Sequence, residues 1–321
     1  MSLRKLLFLS SRTFALGIDR LPGDLGQAVM VAYLLLRVSD YLEDNTLMQP
    51  GEKARLLGVW DRVLAGQADC SELLGQLRWG AELSPDAEVA RHAQAVIAGL
   101  EALPKAARVI VVRHVRDSTQ GMARWAVRGP VFEDEADLDD YMHEVAGRVG
   151  YLLTELFAWK SPTIRLRQAA LMPLSREFGL ALQTVNVIRG LHDDFERGWV
   201  FVPRSFLREV GLEPQALFES RSRDKAMAVV DLLADKAQRH IRAAHAYVWG
   251  LPRHRHAMRT FCLLPLLFAE RTLAVSRGNE LVFYSEAKMT RQEVRQIVRH
   301  TTLFGWSNRW VDGYAALLAA G

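Results

Sequence analysis

Asp40, Glu43 and Asp44 end the stretch YLLLRVSDYLED (residues 33–44), at spacings of three and four after an apolar run. If the helix read from that run continues through Leu42, the three carboxylates share one face. Like charges so close repel, and the cluster is costly unless a cation or an Arg or Lys side chain offsets it. A solvated helix end is the ordinary explanation, yet acids at a helix C-terminus oppose the helix dipole. A second group lies in LQTVNVIRGLHDDFERGWVFVP, residues 182–203. On a helix, Gln183, Asn186 and Gly190 are spaced by three and four, and Asp193 and Asp194 follow Gly190 at the same offsets. Arg189 is displaced from that stripe, and Arg197 follows a turn later. A wet helix face would account for these residues. Against it, Gln183 and Asn186 interrupt a mostly apolar stretch, and buried amides need partners such as a metal-bound water or a phosphate oxygen.

Oxygen-rich acids on two helices suit Mg²⁺, which keeps several waters and bridges substrate phosphates. A diphosphate held by Mg²⁺ and flanking arginines is a good leaving group, and an apolar bundle interior would shelter an allylic carbocation from water. The residues are compatible with ionisation of a prenyl diphosphate.

The elements that must position these groups are helical. Periodicity predicts helix-rich segments at 25–42, 53–64, 84–100, 104–127, 136–158, 165–193, 222–247, 254–278 and 290–300. Pro173 and Pro265 fall inside two of them, where a kink or a break is expected. No strand repeat, βαβ rhythm or Gly-rich phosphate loop is present. The expectation is an all-α fold, one domain over residues 1–321 formed by a single helical bundle around a central apolar cavity.

With 50% hydrophobic residues, the chain has enough apolar material for a substantial core. Its 41 basic and 37 acidic residues give a net charge of +4, spread along the chain without a basic tail, so nucleic acid is not an expected partner. Mild basicity is compatible with an anionic substrate or an anionic membrane surface. Cys70 and Cys262 are too far apart in sequence for a metal cluster or a disulfide framework, and a reducing cytoplasm is the default. The first residues lack the long apolar run and small-residue cleavage site of a signal peptide. No apolar run reaches membrane-spanning length: residues 263–269 end in Glu270 and Arg271. Peripheral contact through a greasy surface stays open, as does the oligomeric state.

The two acidic stretches resemble the paired aspartate-rich motifs of the squalene and phytoene synthase family, the first being especially similar to the squalene synthase form. Three further stretches resemble that family in its order: SSRTFALGIDRLP (10–22), DDYMHEVAGRVGYLLTELF (139–157) and RTFCLLPLLFAERTLA (259–274). The resemblance implies an isoprenoid synthase fold and an enzyme that binds isoprenyl diphosphates, farnesyl diphosphate above all, through Mg²⁺. Typical members join two substrates head to head through a cyclopropyl diphosphate. Squalene synthases then reduce that intermediate with NADPH, whereas phytoene synthases need no reductant; nothing in this sequence decides between them. By the same resemblance Asp40, Glu43, Asp44, Asn186, Asp193 and Asp194 are the metal set. Arg12, Arg37 and Arg189 stand where diphosphate is expected, and Gln183 matches an amide upstream of the second motif.

Three positions depart from the family pattern. Gly190 stands where the second motif opens with aspartate, Glu144 where a catalytic tyrosine is usual, and Trp199 where an arginine handles diphosphate, although Arg197 is close by. A carboxylate in place of a phenol could act as a general base or orient a polar acceptor. Trp199 could face a cation through its ring or simply fill a wall. The catalytic candidates are therefore Asp40, Asp44, Asp194, Glu144 and Arg189. Head-to-head synthesis leads, with transfer to another acceptor, conversion of a single prenyl diphosphate to a terpene, and a non-catalytic prenyl-lipid binding protein as alternatives. Substrate length is expected to depend on Phe157, Leu180, Phe261 and Leu264.

Overall fold

The computed structural model describes residues 1–79 and 84–320, and of Arg12 the backbone alone. Every regular element among the described residues is a helix, in agreement with the all-α expectation. Contacts gather the chain into two compact units, Met1–Gly129 with Tyr151–Gln168, and Pro130–Gly150 with Ala169–Gly321.

In the first unit the helix Gly23–Asp44 is central. The helices Leu3–Ser10, Pro50–Leu64, Pro85–Arg91, Ala93–Glu101 and Lys105–Arg128 all pack on it. That is why Leu25, Ala28, Val31, Leu34, Leu35, Val38 and Leu42 are buried around much of its circumference. By length and composition it is the one described helix that could cross a membrane, which corrects the expectation that no such run exists. With 72% of its apolar window buried inside the protein, it serves as a core helix. A deep polar contact on it is satisfied: Ser39 Oγ lies 2.8 Å from Thr119 Oγ1, which in turn donates to Val115 O. The acid-bearing last turn is tied down just beyond. Tyr41 Oη donates to Arg78 O at 2.8 Å, Asn45 Nδ2 reaches the same oxygen, and Asn45 Oδ1 accepts from Leu47 N.

In the second unit the helices Arg223–Gly250 and His256–Ser276 pack together, and Arg291–Phe304 and Asn308–Ala319 close on the latter. Leu264, Leu267 and Phe268 meet Ile297, Ala315 and Leu318 there. Leu264 is thus a core residue between helices, which accounts for it without a channel-lining role. Pro173 and Pro265 break neither helix that contains them, Pro162–Arg189 and His256–Ser276. Each removes one backbone donor; at Pro265, burial of Leu263, Leu264, Leu266 and Leu267 outweighs that loss. The expected helix 84–100 divides at His92, and 165–193 divides at Gly190. The expected helix 136–158 contains a π-helical turn, His143–Gly147, between Glu135–Met142 and Arg148–Lys160.

A buried ionic network holds the approach to that turn. Lys236, 1% exposed, pairs with Asp139 and lies 3.4 Å from Glu135, while His240 Nδ1 is 2.6 Å from Glu177 Oε2. Burial works against a charge on His240, but the Asp139 and Glu177 carboxylates outweigh it and raise the pKa. These pairs join Arg223–Gly250 to both Glu135–Met142 and Pro162–Arg189.

Candidate active site

In the first unit, Arg37 and Asp40 lie one turn apart on Gly23–Asp44, with Arg37 Nη1 2.9 Å from Asp40 Oδ2. Arg37 also grips Asp86, on Pro85–Arg91, through both Nε and Nη2, the former at 2.8 Å. Burial opposes the Arg37 charge, yet Asp40 and Asp86 more than offset it and raise its pKa. Asp40 behaves in the opposite way. Burial is the largest influence, Asp44 and Asp86 add negative charge, and Arg37 offsets only part, so the carboxyl is raised to about 7. Its side chain keeps 22% exposure. Glu43 is buried and Asp44 exposed, so the three acids are graded in their access to water. Tyr33 and Tyr41 are packing groups: Tyr33 Oη donates to Ser10 O at 3.3 Å, and Tyr41 stacks on Trp79.

In the second unit, the helical hydrogen bonding survives the division at Gly190. Gly190 N donates to Asn186 O at 2.8 Å and Asp194 N to Gly190 O at 2.9 Å. The stripe of spacings therefore holds through the break. Its burial differs from expectation: Asn186 and Asp193 are exposed, Gln183 is half-buried, and only Asp194 is buried. An exposed amide can bond to water, so the demand for a buried partner at Asn186 is withdrawn. Asp194 pairs with Arg197, and its carbonyl accepts from Trp199 N at 2.9 Å. Asp194 Oδ2 would be 3.4 Å from a Cβ added at Gly190, so the missing motif side chain would stand against this carboxylate. Arg189 Nε is 3.7 Å from Glu286 Oε1. His192 faces Glu196 at 3.4 Å, a pairing within its own helix. Trp199 stacks on Phe201 with centroids 5.3 Å apart, and Phe201 stacks on Tyr141 at 5.1 Å. Trp199 is thus part of an aromatic wall.

Glu144 lies in the π-helical turn, 5% exposed, with both its oxygens on the Arg148 guanidinium. The turn is seated by glycines. A Cβ at Gly150 would fall 2.0 Å from Ser175 O, and one at Gly179 would fall 2.4 Å from Ala146 O. The two backbones touch because neither glycine has a side chain. Inserted π turns recur at functional sites. A carboxylate already engaged by a guanidinium is better suited to positioning Arg148 than to taking a proton. Glu144→Gln is accordingly expected to lower turnover less than about tenfold, since the amide still accepts from Arg148. A loss beyond about a hundredfold in kcat with KM unchanged, in steady-state kinetics, would restore the general-base role.

The donor set at the two motifs is carboxylate and amide oxygen, the hard ligands Mg²⁺ prefers. The raised Asp40 carboxyl marks an acidic site short of positive charge. Among the described residues no three His, Cys, Asp or Glu side chains form a metal cage, so a cation held at either motif would complete its shell with water and ligand oxygens. Arg12, assigned to diphosphate by resemblance, has its side chain outside the described residues. The structure adds residues that sequence reasoning missed. Arg148 carried a legible signal, four residues from Glu144; Asp86 and Glu286 carried none.

Comparison with known proteins decides the family. The family model described as squalene/phytoene synthase matches residues 9–293. The chain belongs to the squalene/phytoene synthase family. A squalene synthase from Schizosaccharomyces pombe is 28% identical over 305 residues, covering 92% of this chain and 64% of the relative. Squalene synthase 1 from Arabidopsis thaliana is 28% identical over 306 residues, covering 91% and 68%. The chain thus spans about two thirds of the length of these relatives. The solved complex of TcSQS with the ligand E5700 matches with a TM-score of 0.86 at 26% identity, over 99% of this chain and 90% of that one. A dehydrosqualene synthase in complex with ligand, 19% identical, shares the fold at a TM-score of 0.66 over 94% of each chain. The all-α architecture of this family member is therefore the isoprenoid synthase fold.

Proposed function

We propose that the protein is a Mg²⁺-dependent transferase of prenyl groups that joins two isoprenyl diphosphates head to head. Farnesyl diphosphate is the substrate that the squalene-synthase form of the first motif favours, and squalene or a presqualene-derived compound is the product. The carrying observation is the Asp40 group: a carboxyl raised to about 7 beside Asp44 and Asp86, with the Arg37 guanidinium 2.9 Å away as counter-charge. Such a site gains most from a cation and a polyanion arriving together. Asp40, Glu43 and Asp44 would hold Mg²⁺ at the first motif, and Asn186, Asp193 and Asp194 would do so at the second; the ion would supply positive charge to a leaving diphosphate. Arg37 keeps its proton despite burial, because Asp40 and Asp86 favour the charged form, and it can contribute a guanidinium to a leaving diphosphate. Arg12, Arg189 and Arg197 are assigned the same duty, and Gln183 an orienting hydrogen bond. The aromatic wall of Tyr141, Trp199 and Phe201 supplies ring faces suited to excluding water beside a cation.

A second reading is a divergent member that transfers the prenyl group to another acceptor or turns one prenyl diphosphate into a terpene. It is favoured by the pairing of Arg197 with Asp194 and by Trp199 within a ring stack where the family has an arginine. Incubation with Mg²⁺ and geranyl, farnesyl or geranylgeranyl diphosphate, with and without NADPH, separates the readings by mass spectrometry of all organic products. A Mg²⁺-requiring product of two farnesyl units is expected, reduced to squalene only if NADPH is used. A monomeric terpene or alcohol would transfer the assignment to the second reading. Binding without diphosphate release would make the chain a prenyl-lipid binding protein.

A further inference from the structure

The helix Arg291–Phe304 has a single acid, Glu293, and that acid is committed. It accepts from Arg271 Nε at 2.6 Å and from Thr290 in a capping box. The outer face carries Arg291, Arg295 and Arg299, four residues apart and all exposed. No ion pair or hydrogen bond is recorded for these three guanidinium groups among the described residues. The stripe continues directly into apolar side chains. Leu303, four residues after Arg299, is 54% exposed, Phe304 44% and Trp306 54%.

This tip is fixed from inside. Arg259, 0% exposed, donates to Gly305 O at 3.2 Å, to Val248 O and Leu251 O at 2.7 and 2.9 Å, and to Asn308 Oδ1 at 2.7 Å. His256 Nε2 lies 2.9 Å from Thr302 O. A Cβ at Gly305 would be 2.6 Å from Thr301 O and 3.0 Å from Leu263 Cδ1, so the turn is seated as closely as a backbone allows. A buried guanidinium thus binds the turn that presents three large apolar side chains to water. The side chains cannot turn inward without breaking those bonds.

We propose that this face docks on an anionic phospholipid bilayer. The arginine stripe meets headgroup phosphates along the helix, while Leu303, Phe304 and Trp306 enter the interface at its end. Charge complementarity selects this occupant. A second copy joined symmetrically through the same face would set unpaired arginines against arginines. The apolar tip at one end also matches the boundary between headgroups and acyl chains. The inference does not depend on the reaction proposed above.

Flotation of the purified 321-residue chain tests it, with vesicles of phosphatidylcholine alone or mixed with phosphatidylglycerol, at low and high salt. Binding to the mixed vesicles, weakened by salt, and little binding to phosphatidylcholine alone are expected. Arg295→Gln with Arg299→Gln should lower partitioning about 25-fold, about fivefold for each arginine. Phe304→Ser with Trp306→Ser should remove the portion that resists salt. Both pairs lie on the surface, and an unchanged melting temperature by circular dichroism establishes that each variant is folded. Should the serine pair unfold, Leu303→Ser takes its place. Failure of the folded parent to float with mixed vesicles overturns the proposal, as does flotation unaltered in both variants. Loss of self-association in the variants, with no lipid binding by the parent, would assign the face to a second copy and overturn it equally.

Discussion

Asp40→Asn is expected to reduce Mg²⁺-dependent diphosphate release by about a hundred- to thousandfold, and at the same time to raise the melting temperature of the metal-free protein at pH 8. The two effects have one cause. In the fold Asp40 titrates at about 7, pushed up first by burial and then by Asp44 and Asp86 against the pull of Arg37. An unfolded aspartate titrates near ~3.9. Below that value both states hold the proton and the site carries no penalty. As pH rises toward 7, the unfolded chain loses its proton while the fold keeps it, so folding becomes steadily less favourable. Above 7 the penalty is complete. Asparagine removes the charge but can still accept from Arg37, whose paired bonds to Asp86 remain. The gain in melting temperature should therefore be full above pH 7, shrink as pH falls, and vanish near ~4. For the same reason a Mg²⁺ ion bound as proposed would have to displace a proton, and its apparent affinity should fall about tenfold per unit of pH below 7. Calorimetric melting of both proteins from pH 4 to 8 reads the first effect, and titration calorimetry the second. A lower melting temperature for the variant at pH 8 would show that Asp40 is a structural partner of Arg37.

Where a spacing rule operates within one helix, the site was legible. Asp40 and Asp44 share a helical register, Arg37 reaches Asp40 from three residues before, and the stripe from Gln183 to Asp194 keeps its hydrogen bonding across Gly190. What spacing does not state is which way the stripe faces. Asn186 has the right register and an exposed side chain, because helical period gives relative angle while tertiary packing decides which angle is buried. Partners distant in sequence were illegible for a different reason. Asp86 is 49 residues from Arg37, and nothing in either neighbourhood marks their meeting. The π-helical turn was hidden because HEVAG has no period of its own, and the turn exists only through its packing against residues 175–179. The helix Asn308–Ala319 was available to reading: Ser307 caps it, and Val311, Ala315 and Leu318 keep helical spacing. Gly313 in its middle weakens that signal.

Gly150→Ala is the substitution expected to cost most in stability, and its reason is geometric. The new Cβ would lie 2.0 Å from Ser175 O, a backbone atom in the middle of Pro162–Arg189 that no rotamer change can move. The helices must part, and Gly179, whose own Cβ site lies 2.4 Å from Ala146 O, holds the same contact closed from the other side. Overpacking of this kind costs about 3 kcal/mol, which corresponds to a fall in melting temperature of roughly 5 °C or more. Gly58→Ala gives the matched control. That glycine sits within Pro50–Leu64 with nothing within 4 Å of an added Cβ. There the same methyl should raise stability by about 0.5–1 kcal/mol, because alanine loses less backbone freedom on folding. Opposite signs from one chemical change would attribute the cost to the contact and not to helix propensity. In the folded fraction of Gly150→Ala, turnover should fall with it, because the parted helices carry the turn that holds Glu144 on Arg148. A melting temperature within about 1 °C of the parent would mean that the two helices separate freely, and that the π-helical turn is not seated by this contact.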